Sequence, residues 1–259
     1  MIMQLQRNKI YNVDSYKAIK EMPDNFVDLI ITDPPYEIHH TEGGGMLIDK
    51  GIKQMFDDLV EDNLQVGLDE DILNELIRVS KKVNIYIWCN KILIPKLMDF
   101  FVTKHHYLFD IIIYHKFNAM PLCGSKYLTD CEYCLYFHET LKLNTTYETA
   151  KTVYDLPINV VDKNYYEHPT IKPLEPIKNF IINSSKEGDL IFDPFLGSGT
   201  TAVAAKELKR DYIGFEISDK YCKIAEDRIN GITKKQRDFE EGLKKPINDG
   251  IFGLDYGDK

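Results

Sequence analysis

The segment Val27–Tyr36, VDLIITDPPY, restricts the fold more than any other part of the chain. Leu29–Thr32 is a run of apolar and β-branched residues, the pattern of a buried strand. The run stops at Asp33-Pro34-Pro35-Tyr36 because proline has no N–H to give to a sheet ladder. The strand therefore ends on a carboxylate, a stiff backbone and an aromatic ring. In an open α/β sheet the carboxyl edge is where ligands bind, so this edge is the first candidate site.

That end suits a planar base with an exocyclic amine. Such an amine is a poor nucleophile, since its lone pair is delocalised into the ring. Asp33 and the carbonyl of Pro34 can each accept one of its hydrogens, and holding both off-plane localises the lone pair. Pro35 fixes the turn. Tyr36 offers a stacking face, worth roughly 1–3 kcal/mol. The same residues also read as a strand-terminating turn with an incidental tyrosine, and this segment alone does not separate the two.

A net charge of −9 over 259 residues argues against a protein that coats nucleic acid indiscriminately. The acidity crowds into Asp57–Glu75, a solvated face turned away from any polyanion. Residues 91–150 are balanced in charge and are the better candidate for a nucleic-acid surface. The amino-terminal residues lack the apolar run of a signal peptide, and no apolar run is long enough to span a bilayer. With five cysteines and no export signal, free thiols in a reducing cytoplasm are expected.

In chain order, Lys9–Tyr11 reads as an edge strand and Asp14–Ile19 as a short helix. After the DPPY end, three glycines at 43–45 mark Glu37–Gly51 as a mobile loop able to close over a substrate; the alternative is a disordered connection with no role. Asp71–Ser80 has helical spacing, Asn84–Trp88 reads as a strand, and Ile92–Phe101 as a helix. Phe109–His115 and Glu132–Phe137 read as strands, the second antiparallel to the first. Lys116–Asp130 is a loop and Thr140–Glu167 has no clear period. Pro173–Ser185 is a helix with proline at its start. Leu190–Phe192 is a strand, Ala202–Leu208 a helix, Asp211–Glu216 a strand and Asp219–Ile229 a helix.

The second constellation is DPFLGSGTT, Asp193–Thr201, between a strand and a helix. Gly197 and Gly199 free the backbone to approach a ligand closely, and the helix amino end beyond them favours an anion. Glu216, ending the next strand, can accept both hydroxyls of a ribose. Gly197-Ser198-Gly199-Thr200-Thr201-Ala202 also satisfies the dinucleotide fingerprint, so a nicotinamide-linked dehydrogenase stays open on this turn alone. A Walker loop does not, for want of Gly-Lys-Ser/Thr.

Taken together, TDPPY at Thr32–Tyr36, HPTIKP at His168–Pro173 and FDPFLGSGTT at Phe192–Thr201 resemble the S-adenosylmethionine-dependent DNA amino-methyltransferases of the beta arrangement. In that family the DPPY motif precedes the recognition segment and the cofactor motif comes last. The likeness covers about Lys9–Ile229. It implies an α/β, Rossmann-like methyltransferase fold: a mixed, mostly parallel seven-stranded sheet, helices on both faces and a small recognition insert. Residues 1–115 would form the catalytic half, 116–167 the target-recognition insert, 168–232 the cofactor-binding half and 233–259 a C-terminal tail. Asp33, Pro34, Pro35 and Tyr36 would hold a flipped base. Asp193, Phe195, Gly197, Ser198, Gly199 and Thr200 would surround the methionine part of S-adenosylmethionine. Thr170 and Lys172 would bind its carboxylate, and Glu216 its ribose. Asp14 sits where relatives have a Gly-Asp pair at the adenine of the cofactor; here Val13 replaces the glycine.

The implied partner is double-stranded DNA, with a homodimer and a cognate restriction endonuclease as further partners of this class. Transfer would be direct, without a covalent enzyme intermediate; no Pro-Cys nucleophile motif is present. Aspartate before Pro-Pro-Tyr resembles the adenine-N6 members, with cytosine N4 as the rival target and a non-catalytic DNA- or partner-binding member as the rival of another class. Cys131-x-x-Cys134 suggests zinc only weakly, because residues three apart on a strand point to opposite faces, and no metal is expected.

Overall fold

The computed structural model describes residues 4–35, 68–119, 127–159, 166, 171–233 and 236. They build one eight-stranded sheet in the order β1-β8-β7-β2-β3-β5-β4-β6. The strands are β1 (Lys9–Asn12), β2 (Leu29–Thr32), β3 (Asn84–Cys89), β4 (Leu108–Lys116), β5 (Cys131–His138), β6 (Val153–Leu156), β7 (Leu190–Asp193) and β8 (Asp211–Glu216). Every neighbouring pair is parallel except the two that involve β5, which runs against β3 and β4.

The helices are α1 (Ser15–Ala18), α2 (Glu70–Val79), α3 (Ile94–Met98), α4 (Leu174–Ser184), α5 (Thr200–Glu207) and α6 (Asp219–Ile229). α3 runs on into a wider-pitched π turn, Asp99–Lys104. Two cores lie on the two faces of the sheet. On one, Ile72, Leu73 and Leu76 of α2 and Leu97 of α3 pack with Ile85 and Ile87. On the other, Ile177 and Phe180 of α4, Ala202 and Ala205 of α5 and Ala225 of α6 pack with Tyr86 and Trp88. The alternation along β3 sends its side chains to opposite cores, which is why the whole strand is buried.

The sheet has one strand more than the expected seven. The extra strand, β6, is four residues long and lies inside the polar tract 140–167, pairing in parallel with β4 at the sheet's edge. Only Tyr154 of its residues is buried, so its sequence carries no apolar alternation to announce it. The expected recognition insert, 116–167, thus supplies two strands of the same sheet, β5 and β6. Among the described residues no helix is long and apolar enough to cross a membrane.

Candidate active site

Because β1, β8, β7, β2 and β3 are mutually parallel, their carboxyl ends share one edge. Asp193 is the last residue of β7, Glu216 the last of β8, and Asp33 follows β2 directly. Asn12 of β1 lies opposite Glu216, bringing Asp14 to the same edge. The expected site residues from three distant segments therefore meet on one rim. Pro34 is buried and Pro35 half-buried beside Asp33. Tyr36, Thr170, His168 and the glycine loop 37–51 lie outside the described residues.

The turn after β7 is held from behind. Gly197 and Gly199 have φ of 53° and 81°, the left-handed region that side chains rarely adopt. A Cβ on Gly199 would stand 2.8 Å from the Cβ of Ala225 on α6. Arg228 of α6 is 8% exposed and donates through Nη1 to the carbonyl of Ser198 at 2.7 Å, to Ser198 Oγ at 2.9 Å and to Thr200 Oγ1 at 3.1 Å. The hydroxyls of Ser198 and Thr200 are thus engaged by α6. The Arg228 guanidinium also lies over the Tyr166 ring, 4.9 Å from its centroid.

Glu216 is buried and accepts the N–H of Gly197 at 2.8 Å on one oxygen and that of Ser218 at 2.9 Å on the other. Asp193 is 5% exposed. Its oxygens accept from Thr201 Oγ1 at 2.7 Å and from the N–H of Phe195 at 3.1 Å. Burial pushes its carboxyl up to about 7 in spite of those bonds. Phe195 packs against Tyr16, ring centroids 5.7 Å apart. Asp14 caps α1, accepting the N–H of Tyr16 at 3.0 Å, and its other oxygen lies 3.2 Å from the ammonium of Lys17.

Lys172 differs from its expected setting. Its ammonium sits 2.6 Å from Asp33 Oδ2 and 3.0 Å from Glu132 Oε2, with its side chain 11% exposed. The Trp88 ring lies beside it, 5.4 Å from ammonium to centroid. Lys116 pairs with the other oxygen of Glu132 at 3.1 Å. Burial raises the Glu132 carboxyl, but Lys172 and Lys116 outweigh it and hold the group below its usual range. The Lys172 ammonium is thus the ion-pair partner of both Asp33 and Glu132.

Sequence reading missed Arg228, Thr201, Glu132 and Lys116. Glu132 carried a faint signal, an acid near the start of an otherwise apolar strand. Among the described residues no group of three or more His, Cys, Asp or Glu side chains is placed to hold a metal ion. Cys134 is fully buried, and burial raises its thiol well above the ordinary value.

Comparison with known proteins bears on what this rim holds. The N6_N4_Mtase family, described as DNA methylase, matches residues 27–227. The Type II methyltransferase M2.LlaDCHI of Lactococcus lactis subsp. cremoris is 27% identical over 245 residues, 85% of this chain and 88% of its own. The Type II methyltransferase M2.DpnII of Streptococcus pneumoniae is 28% identical over 249 residues, 86% of this chain and 90% of its own. The crystal structure of the M1.HpyAVI–SAM complex is similar with a TM-score of 0.61 at 26% identity, covering 86% of this chain and 98% of that one. The PvuII DNA methyltransferase (cytosine-N4-specific) gives a TM-score of 0.67 at 15% identity over 92% of this chain and 93% of that one, a likeness of fold alone.

The residues on the rim fit S-adenosylmethionine. A turn without Cβ atoms at Gly197 and Gly199 leads into the amino end of α5, and two buried carboxylates, Asp193 and Glu216, suit a cationic group and neighbouring hydroxyls. The chain belongs to this DNA methylase family and is a DNA amino-methyltransferase whose cofactor is S-adenosylmethionine.

Proposed function

We propose that the protein methylates the exocyclic N6 amine of adenine within a specific sequence of double-stranded DNA. The observation that carries this reading is Asp33, placed by β2 at the carboxyl edge, ahead of Pro34-Pro35 and in a salt bridge with Lys172 at 2.6 Å. The Asp33 carboxylate and the Pro34 carbonyl accept the two hydrogens of the amine, and Tyr36 stacks on the base. The target atom is out of reach inside a duplex, so the base leaves the stack at a cost of a few kcal/mol, partly offset by these contacts.

When bound, S-adenosylmethionine supplies a methyl group on a positively charged sulfur. The glycine turn and Asp193 with Phe195 hold its methionine part, Glu216 its ribose and Asp14 the adenine side. Thr170 receives its carboxylate, while Lys172 belongs to Asp33. The relatives' name, Type II methyltransferase, supports a cognate restriction endonuclease as the cellular counterpart. An enzyme acting on genomic DNA with free buried thiols suits a reducing cytoplasm.

Adenine rather than cytosine rests on the aspartate before Pro-Pro-Tyr. The test is to methylate plasmid DNA with isotopically labelled cofactor, digest it to nucleosides and separate them by mass spectrometry. Label in N6-methyladenine is the expected result. Label confined to N4-methylcytosine would overturn the adenine assignment and leave the family and cofactor intact.

A further inference from the structure

Four charged side chains alternate in sign from the edge of the expected recognition segment to the end of β2. They run Lys116, Glu132, Lys172, Asp33, with gaps of 3.1, 3.0 and 2.6 Å. They come from β4, β5, the residues before α4 and the end of β2, so no short motif contains them. The two ammonium side chains are 16% and 11% exposed, and Trp88 closes one side of Lys172.

Two carboxylates share the Lys172 ammonium. Glu132 sits on the reversed strand β5, in register with Tyr114 of β4. It is therefore held within a strand ladder, whereas Asp33 follows the end of β2. We infer that Glu132 is a positioning residue for the methyl transfer, acting through Lys172 to hold the Asp33 carboxylate where it meets the target amine. The inference rests on the reading of Asp33 as the acceptor of that amine.

Lys172 ends a flexible four-carbon stem, so where its ammonium rests depends on the carboxylates around it. A second carboxylate on a rigid strand fixes the ammonium, and the ammonium then fixes Asp33. Lys116 balances the outer oxygen of Glu132, so the row carries no net charge into the partly buried rim. Neutralising Glu132 leaves the row with one surplus positive charge and shifts the balance of the Lys172 ammonium towards Asp33. The Asp33 oxygens then become weaker acceptors and less well aimed. Misplacement of this kind acts on turnover rather than on cofactor binding, because the glycine turn, Asp193 and Glu216 lie on other strands.

The experiment compares Glu132→Gln and Glu132→Asp with the wild type. The readouts are kcat, KM for DNA, and S-adenosylmethionine affinity by calorimetry, with folding checked by circular dichroism. The expected order of kcat is wild type, then Glu132→Asp, then Glu132→Gln, the last lower by about 10–100-fold. Cofactor affinity stays within about twofold of the wild type. A folded Glu132→Gln enzyme with wild-type kcat would overturn the inference. Equal loss of kcat and cofactor affinity in both variants would also overturn it, in favour of a purely structural role. Where Glu132→Gln does not fold, Glu132→Asp decides: lowered kcat at unchanged cofactor affinity supports the inference, and unchanged kcat overturns it. Asp33→Ala run alongside separates the two readings. If it retains turnover the role of Asp33 falls, whereas a dead Asp33→Ala beside a fully active Glu132→Gln removes only the inference.

Discussion

The two halves of the active rim are built differently. On the cofactor side, Asp193, the glycine turn, α5 and Glu216 follow one another along a single strand–turn–helix–strand unit, and both carboxylates accept backbone N–H groups close to them in the chain. On the base side, the Asp33 carboxylate is held by side chains, from Lys172 and in turn Glu132, far from it in the chain. A site made of backbone tolerates exchange of side chains but not of backbone geometry. A site made of a charge row tolerates backbone adjustment but not loss of a charge.

The largest effect that follows is at Asp33. Asp33→Ala should lower methyl transfer by about three orders of magnitude, the loss expected when a positioned group at the reacting centre is removed. Binding of S-adenosylmethionine, measured by calorimetry, should survive. If cofactor affinity collapsed with turnover, the two sides would not be the separate constructions described here.

Next is Asp193, whose carboxyl is raised to about 7 by burial from an ordinary value of 3.8. The folded chain therefore binds the proton more tightly than the unfolded one. Stability then falls as pH rises from about 4 to about 7, and the loss is complete above that window. The shift corresponds to at most ~4 kcal/mol at alkaline pH. Asp193→Asn keeps an acceptor for the N–H of Phe195 and places a donor beside Thr201. It should raise the denaturation midpoint of the cofactor-free protein at pH 8, gain nothing near pH 4, and weaken the cofactor. Denaturation curves at the two pH values check this, and an equal change at both would refute the assignment of the charge.

Gly199→Ala is the smaller test of the backbone side. Left-handed φ costs a residue with Cβ about 1–2 kcal/mol, and a contact of 2.8 Å with Ala225 adds overpacking. A total of about 3 kcal/mol should appear as a lower unfolding midpoint, with cofactor affinity falling in parallel. Retained stability would mean that α6 yields more easily than its packing suggests.

The same contrast explains what the sequence disclosed. The cofactor side was legible because its chemistry is contiguous, and Asp193–Thr201 names its own neighbours. The strands β2, β3, β7 and β8 were legible because burial on both faces leaves continuous apolar runs. β6 was hidden, since an edge strand of four residues with one buried side chain needs no pattern. Glu132 was hidden because its place beside Lys116 is set by the register of β5 against β4, which no local rule supplies. Lys172 was found, but its pairing with Asp33 and Glu132 was not, because those partners lie far away in the chain. Arg228 was missed because its burial comes from the packing of α6 under the glycine turn.

The pairing of β1 with β8 has a consequence for how the enzyme is made. Asn12 and Glu216 are 204 positions apart, yet their strands are neighbours. A chain still emerging from the ribosome holds β1 and β2 with no β7 or β8 between them, and exposes their open edges to whatever lies nearby. It also lacks Asp193, the glycine turn and Glu216. Premature termination anywhere before β8 therefore yields no partial methyltransferase, only a polypeptide with unpaired strands for chaperones and proteases to sort.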